Sequence, residues 1–218
     1  MRNNKTKDEK HGLFIVFEGI DGSGKSTQAR KLSEYFQKNN IPVLLTNEPS
    51  NSDVGSQIRK YISTENISQE ELAGMFIDDR KLHLEKVIVP ALKEGKHVVC
   101  DRYLYSNIAY QGASGLSIDS LKEQNKAFLK PDHLFFFQIN VALALQRVQK
   151  RNETHSIFEK KKFLEKVSEI YSQLHGEEGN STLIDAERSV DDICREIRTS
   201  LSKNKGDKGL SALPSILH

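Results

Sequence analysis

Leu13-Phe14-Ile15-Val16-Phe17-Glu18-Gly19-Ile20-Asp21-Gly22-Ser23-Gly24-Lys25-Ser26-Thr27 is the stretch whose reading decides the fold. Its first residues, Leu13 to Phe17, form a continuous apolar run, which suits a strand buried on both faces of a parallel sheet. The residues that follow fit G-x-x-x-x-G-K-[ST]. Lys25 to Lys38 then has helical spacing, with Ala29, Leu32, Tyr35 and Phe36 on one face. Gly22 and Gly24 can take backbone angles closed to other residues. Their missing side chains let several amide N–H groups converge on one anion, and the helix starting near Lys25 adds its positive end. Lys25 can reach the β- and γ-phosphates of a nucleotide, and the Ser26 hydroxyl can ligate Mg²⁺. The predicted ATP-binding set is Gly19, Asp21, Gly22, Ser23, Gly24, Lys25, Ser26 and Thr27.

Four further apolar or β-branched runs lie beyond the loop: Val43 to Thr46, His97 to Cys100, His133 to Ile139, and Thr182 to Ile184. Helical patterns separate them at Glu70 to Glu94 (with Pro90 expected to kink or interrupt it), Val141 to Arg151, Phe158 to His175, and Val190 to Leu201 with Ser189 as N-cap. Strand alternating with helix predicts a three-layer α/β/α domain. One domain is expected over residues 12–201, preceded by a polar extension, 1–11, and followed by a tail, 202–218. The charged stretch at about 147–159 reads as a mobile lid.

Composition narrows the class. The 218 residues carry 32 Lys plus Arg against 30 Asp plus Glu, a net charge of +2. So small an excess is no electrostatic footprint for a nucleic-acid partner. The mean hydropathy is −0.55, and no apolar run approaches the ~20 residues of a membrane span. The polar start excludes an apolar signal segment. Cys100 and Cys194 have neither metal-ligand spacing nor a disulfide framework. A cytoplasmic location and no membrane partner are therefore expected.

A magnesium carboxylate is expected at the end of a second apolar strand, and His97-Val98-Val99-Cys100-Asp101 supplies Asp101. Ser26 and Asp101 are the metal candidates. Arg102, next in the chain, offers an anion clamp beside the metal contact. Asp21, a carboxylate inside an anion-binding loop, could orient the acceptor sugar or the water shell of the metal.

The chain resembles the thymidylate kinase family. The resemblance is carried by Phe14 to Gln28, Asn47-Glu48-Pro49, Phe76 with Arg80, Asp101-Arg102-Tyr103, Ser106-Asn107 and Tyr110-Gln111-Gly112, in that order. It implies transfer of the ATP γ-phosphoryl to dTMP, giving dTDP for dTTP synthesis, with Mg²⁺ as cofactor. It also implies a P-loop kinase fold with a five-stranded parallel sheet, and a homodimer. By the same resemblance dTMP would be held by Asp21, Glu48, Phe76, Arg80, Arg102, Ser106, Asn107, Tyr110 and Gln111. Phe76 would stack on thymine, Arg80 would meet its O4, and Asp21 would orient the acceptor sugar. The residue chemistry agrees: Phe76 and Arg80, four apart, share a helix face, and Asn107 can donate and accept at a base edge. Glu48 is an acceptor-site or metal-water candidate.

Transfer between two anions needs cations between them. The catalytic candidates are Lys25, Arg102, Arg147 and Arg151, the last two sharing one helical face of the lid. Either lid arginine could instead stack on adenine, which the resemblance places near Ile184-Asp185-Ala186. The chain departs from many relatives in having Asn47 rather than Arg before Glu-Pro, and no arginine within His155 to Glu159. Two other readings of the loop are a deoxynucleoside kinase, for which Arg102 would have no phosphate to hold, and a nucleotide-dependent switch acting through a partner.

Overall fold

The apolar runs become a single sheet. In the computed structural model, which describes residues 11–64, 67–149 and 157–203, β1 (Phe14–Gly19) is buried along its whole length and occupies the centre. β3 (His97–Asp101) and β4 (His133–Gln138) flank it, and β2 (Val43–Asn47) and β5 (Ser181–Asp185) form the edges. All four pairings are parallel and give the order β2-β3-β1-β4-β5. The position of each strand follows from its composition. Phe14 to Phe17 and Leu134 to Phe137 have both faces apolar and lie inside, whereas the partly polar β2 and β5 tolerate an edge.

Parallel strands need crossover helices. α1 (Lys25–Lys38) spans the residues expected from its pattern and buries Ala29, Leu32 and Phe36. α2 (Asp53–Thr64) follows β2. α3 (Gln69–His83) starts at a capping box in which Ser68 and Glu71 satisfy each other's backbone N–H groups. Pro90 does not break the long helical segment. A π turn over Leu84–Ile88 loosens the ladder just before α4 (Val89–Lys93), so Pro90 sits in a fresh first turn where its missing N–H leaves no bond unmade.

α5 (Leu104–Ala113) and α6 (Ile118–Asn125) separate β3 from β4, and α7 (Val141–Gln149) and α8 (Ile157–Glu177) separate β4 from β5. α9 (Val190–Lys203) closes the chain, with the Asp192 N–H donating to the hydroxyl of the expected cap, Ser189. α1 packs with α9, and α5 with α8, giving helical layers on the two faces of the sheet. α2, α5 and α6 have no counterpart in the sequence patterns. α5 is apolar or buried nearly all round, so it shows no amphipathic stripe.

The segment expected as a lid falls largely outside the described residues, as do residues 1–10 and 204–218. Among the described residues no helix is long and apolar enough to cross a membrane.

Candidate active site

The loop between β1 and α1 lies at the C-terminal edge of the sheet, where open α/β folds bind ligands. Gly22 and Gly24 have φ of 84° and 91°, the left-handed region that glycine enters without cost. A Cβ on Gly24 would meet nothing within 4 Å, so the loop faces open space in front of α1. A Cβ on Gly22 would come 2.3 Å from the carbonyl oxygen of Ala144, because α7 rests directly on the loop. Thr27 is half-buried in the first turn of α1.

Lys25 is buried, and its Nζ donates to the Ile20 carbonyl at 2.9 Å and to Ser23 Oγ at 3.5 Å. Burial, and then the nearby Arg102 charge, push its pKa down to about 8, against the pull of Asp101, Asp21 and Glu18. An arriving phosphate would restore the missing anionic partner.

Ser26 and Asp101, distant in sequence, are brought together: Ser26 Oγ donates to Asp101 Oδ2. The other carboxylate oxygen, Oδ1, is buried with no hydrogen-bond partner among the described residues. Such an orphaned oxygen beside a hydroxyl is a hard donor set that fits Mg²⁺. No group of three or more His, Cys, Asp or Glu able to hold a metal occurs among the described residues.

Arg102 stands between the loop and the rest of the cleft. Its φ is 71°, uncommon for a residue with a Cβ, and its N–H is tied to the Phe17 carbonyl at 2.9 Å. Strain of this kind persists where the surroundings over-determine it, as at ligand clamps. The guanidinium donates to Asp21 (2.6 Å), Ser106 Oγ (3.0 Å), Tyr110 OH (3.2 Å) and Tyr171 OH (3.4 Å), and lies 5.0 Å from the Tyr110 ring centroid. Burial works against its charge, but Tyr110, Tyr171, Asp21 and Glu18 keep it protonated. Partial burial likewise opposes ionisation of Asp21, yet Arg102 and Lys25 hold its carboxyl below the usual range.

Glu18 supports this cluster and was given no role by the sequence reading. Its buried carboxylate accepts from the Tyr103 N–H (2.8 Å), the Ser106 N–H (3.1 Å), Ser106 Oγ (2.5 Å) and Tyr171 OH (3.1 Å). A strand carboxylate thus satisfies the free N–H groups at the start of α5. Burial raises its pKa to about 7, although Ser106, Arg102 and Tyr103 favour the charged form. The signal was legible: one acid inside an otherwise apolar strand.

The far end of the cleft is a chain of buried polar side chains. The Glu48–Pro49 peptide is cis, and the turn beyond it is held by Asp79, which accepts from the Ser50 N–H, Ser50 Oγ and Ser52 Oγ, each at 2.6 Å. Glu48 Oε2 accepts from Arg80 Nε (2.9 Å) and Nη2 (2.7 Å), and His83 Nδ1 lies 3.3 Å from Oε1. The other His83 nitrogen is 2.7 Å from Thr46 Oγ1. Arg80 Nη1 donates to Asn125 Oδ1 at 2.6 Å. Asn125 Nδ2 donates to Asn107 Oδ1, and Asn107 Nδ2 to Gln111 Oε1, each at 3.1 Å.

Arg80 therefore does not stand free in the cleft. It has no exposed surface and lies between Glu48 and Asn125, because a buried guanidinium needs a buried carboxylate. Phe76, half-buried one turn away, is outside the hydrophobic core cluster. Asn125, Asp79 and His83 were not singled out from the sequence, and nothing local marks Asn125.

At the opposite end, Arg147 is half-buried and its Nη1 donates to the Ala186 carbonyl (3.0 Å) and the Gly22 carbonyl (3.4 Å). It ties the phosphate loop to the loop after β5. Arg151 lies outside the described residues.

A glycine-lined loop between strand and helix, a buried lysine, a Ser–Asp pair and a buried arginine beside them on a parallel α/β sheet fit a P-loop phosphotransferase. A family model described as thymidylate kinase matches residues 17–197. The chain is 40% identical over 192 residues to a probable thymidylate kinase of Pyrococcus horikoshii, covering 85% of this chain and 94% of that protein. It is 36% identical over 195 residues to a thymidylate kinase of Brachyspira hyodysenteriae (89% and 95% covered). It is 44% identical over 187 residues to a probable thymidylate kinase of Methanocaldococcus jannaschii (85% and 93% covered). The chain belongs to the thymidylate kinase family and is a nucleoside monophosphate kinase.

Proposed function

We propose that the chain phosphorylates dTMP to dTDP with the γ-phosphoryl of ATP, using the phosphate loop for the donor and the Arg102-to-Gln111 region for the acceptor. The observation that carries this reading is the position of Arg102. It bonds Asp21 of the loop and Tyr110 and Ser106 of α5, so it lies between the donor loop and the buried amides. A cation there neutralises the acceptor phosphate against that of the donor. A deoxynucleoside acceptor would give this cation no phosphate to hold.

In this reading Ser26 and Asp101 hold Mg²⁺, which neutralises charge on the transferring group. Lys25 draws the equatorial oxygens, and Asp21 orients the acceptor sugar. Phe76 carries the base, Asn107 and Gln111 read its edge, and Tyr110 lines the deoxyribose. Arg80, buried between Glu48 and Asn125, does not meet O4 itself but holds those two side chains behind the base position. Arg147 acts on the donor side, where its contacts with Gly22 and Ala186 border an adenine position. Residues 12–201 form the catalytic domain. A homodimer and a cytoplasmic location complete the proposal.

The test is ADP release with ATP and Mg²⁺ across a panel of nucleoside monophosphates, with Lys25→Ala as the blank. Fastest turnover is expected for dTMP. Faster turnover of dCMP, UMP or GMP would overturn the assignment.

A further inference from the structure

Glu18 has more partners than a helix start requires. An ionised carboxylate only accepts, at about four lone-pair sites. Oε1 takes the Tyr103 and Ser106 N–H groups, which seats the start of α5. Oε2 takes the hydroxyls of Ser106 (2.5 Å) and Tyr171 (3.1 Å). These hydroxyls come from α5 and α8, lie 2.9 Å apart, and both touch Arg102. Each has one proton. Ser106 gives its proton to Oε2, and Tyr171 gives its own to Oε2 or to Ser106 Oγ. In either case both protons point away from Arg102, and both oxygens turn lone pairs to its Nη1, at 3.0 and 3.4 Å. The guanidinium thus has an inner and an outer half. Nη1 is held by the hydroxyls, whereas Nη2 donates to Asp21, whose side chain is 57% exposed.

We infer that Glu18 is a positioning residue for Arg102: it draws the Ser106 and Tyr171 protons to itself, so that their oxygens hold Nη1 and fix the guanidinium that meets the acceptor phosphate. This rests on the reading above in which Arg102 clamps that phosphate. Glu18 has no exposed surface and acts through the two hydroxyls. Tyr171 is the second member of the device, and through it α8 reaches the clamp. The same helix touches the clamp again two turns earlier, where the Phe163 ring lies 6.1 Å from that of Tyr110, the ring against which Arg102 is placed.

The inference is tested by reversing the hydroxyl protons while keeping the packing. In Glu18→Gln the amide oxygen must stay with the two backbone N–H groups, which can only donate. The NH₂ group then takes the place of Oε2 and donates to Ser106 and Tyr171. At least one hydroxyl proton must then face Arg102, donor against donor. At pH 8, above the value near 7 at which Glu18 ionises, KM for dTMP is expected to rise by about tenfold, the effect of one unmatched donor in a buried site. KM for ATP should change far less. Tyr171→Phe removes one of the two oxygens and should raise KM for dTMP by about two- to fivefold, again with little change for ATP. It decides the matter if Glu18→Gln does not fold. Because Glu18 acts through Arg102, adding Glu18→Gln to Arg102→Ala should raise KM for dTMP no further. An unmoved KM for dTMP, equal changes for dTMP and ATP, or effects that multiply in the double variant would mean that Glu18 only seats α5, and would overturn the inference. The wild-type enzyme across the monophosphate panel keeps the two claims apart. Faster turnover of another monophosphate there overturns the dTMP reading, and the variants are then compared with that acceptor, whose phosphate Arg102 would hold in the same way. An intact dTMP preference with unmoved variant constants overturns the role of Glu18 alone.

Discussion

The two ends of the cleft, proposed to hold phosphate and base, are built on opposite principles. At the proposed phosphate end the groups on offer are backbone N–H donors of one short loop, with Gly22 and Gly24 in left-handed conformations and open space ahead of Gly24. At the base end they are side chains from distant segments, linked through Glu48, Arg80, Asn125, Asn107 and Gln111 and buried. A phosphate is the same in every nucleotide, so a local peptide conformation suffices to hold it. A base edge is a pattern of donors and acceptors, and reading it needs amides whose orientation is imposed from behind.

The comparison can be broken most severely at the phosphate end. Lys25→Ala should lower kcat by about 10³-fold or more, the scale of losing one preorganised charge in a dry site. Its melting temperature should change little, because removing a desolvated ammonium relieves a cost while losing its bonds to Ile20 and Ser23. At the base end the order should invert. Glu48→Ala strands a fully buried guanidinium and should cost about 3–5 kcal/mol of stability by denaturant titration. Glu48→Gln, which keeps an acceptor, should cost less.

Arg102 belongs to both ends and should divide the effect. Arg102→Ala is expected to raise KM for dTMP by about 10–100-fold, one to two factors of ~1.4 kcal/mol, while changing KM for ATP far less. Equal changes in both would place Arg102 on the donor.

The smallest effects are those of pH. Free Lys25 loses its proton near pH 8, so ATP affinity should fall as pH rises through that value. Glu18 has the opposite sign of shift. Its carboxyl stays protonated to about 7 when folded and only to about 4.5 when not, so between these values the folded state binds more protons. Its contribution to stability is therefore complete below about 4.5 and is lost as pH rises through about 7. Glu18→Gln should flatten this part of the stability profile, followed by melting temperature against pH.

Much of the frame was legible in the chain itself. The five runs became five strands, α1 occupies the residues its pattern indicated, and Ser189 does cap α9. Ser26 and Asp101 were paired from chemistry alone and do meet. The misses share a cause. α5 is buried on nearly every side and so lacks the stripe that betrays a helix. Asn125 lies at the end of α6 in a locally unremarkable context, and its role arises from Arg80, Asn107 and Leu121 around it.

The sequence alone was sufficient for the strand–loop–helix proposed to bind phosphate and for the alternation that makes a parallel sheet. Both depend on local backbone preferences and hydrophobic period, which neighbouring residues carry. Only the tertiary structure decided that Arg80 is buried on Glu48, that Glu18 seats the start of α5, and which way the amides of Asn125, Asn107 and Gln111 face. Those are properties of polar groups removed from water, whose partners are chosen by folding across the chain and not by adjacency along it.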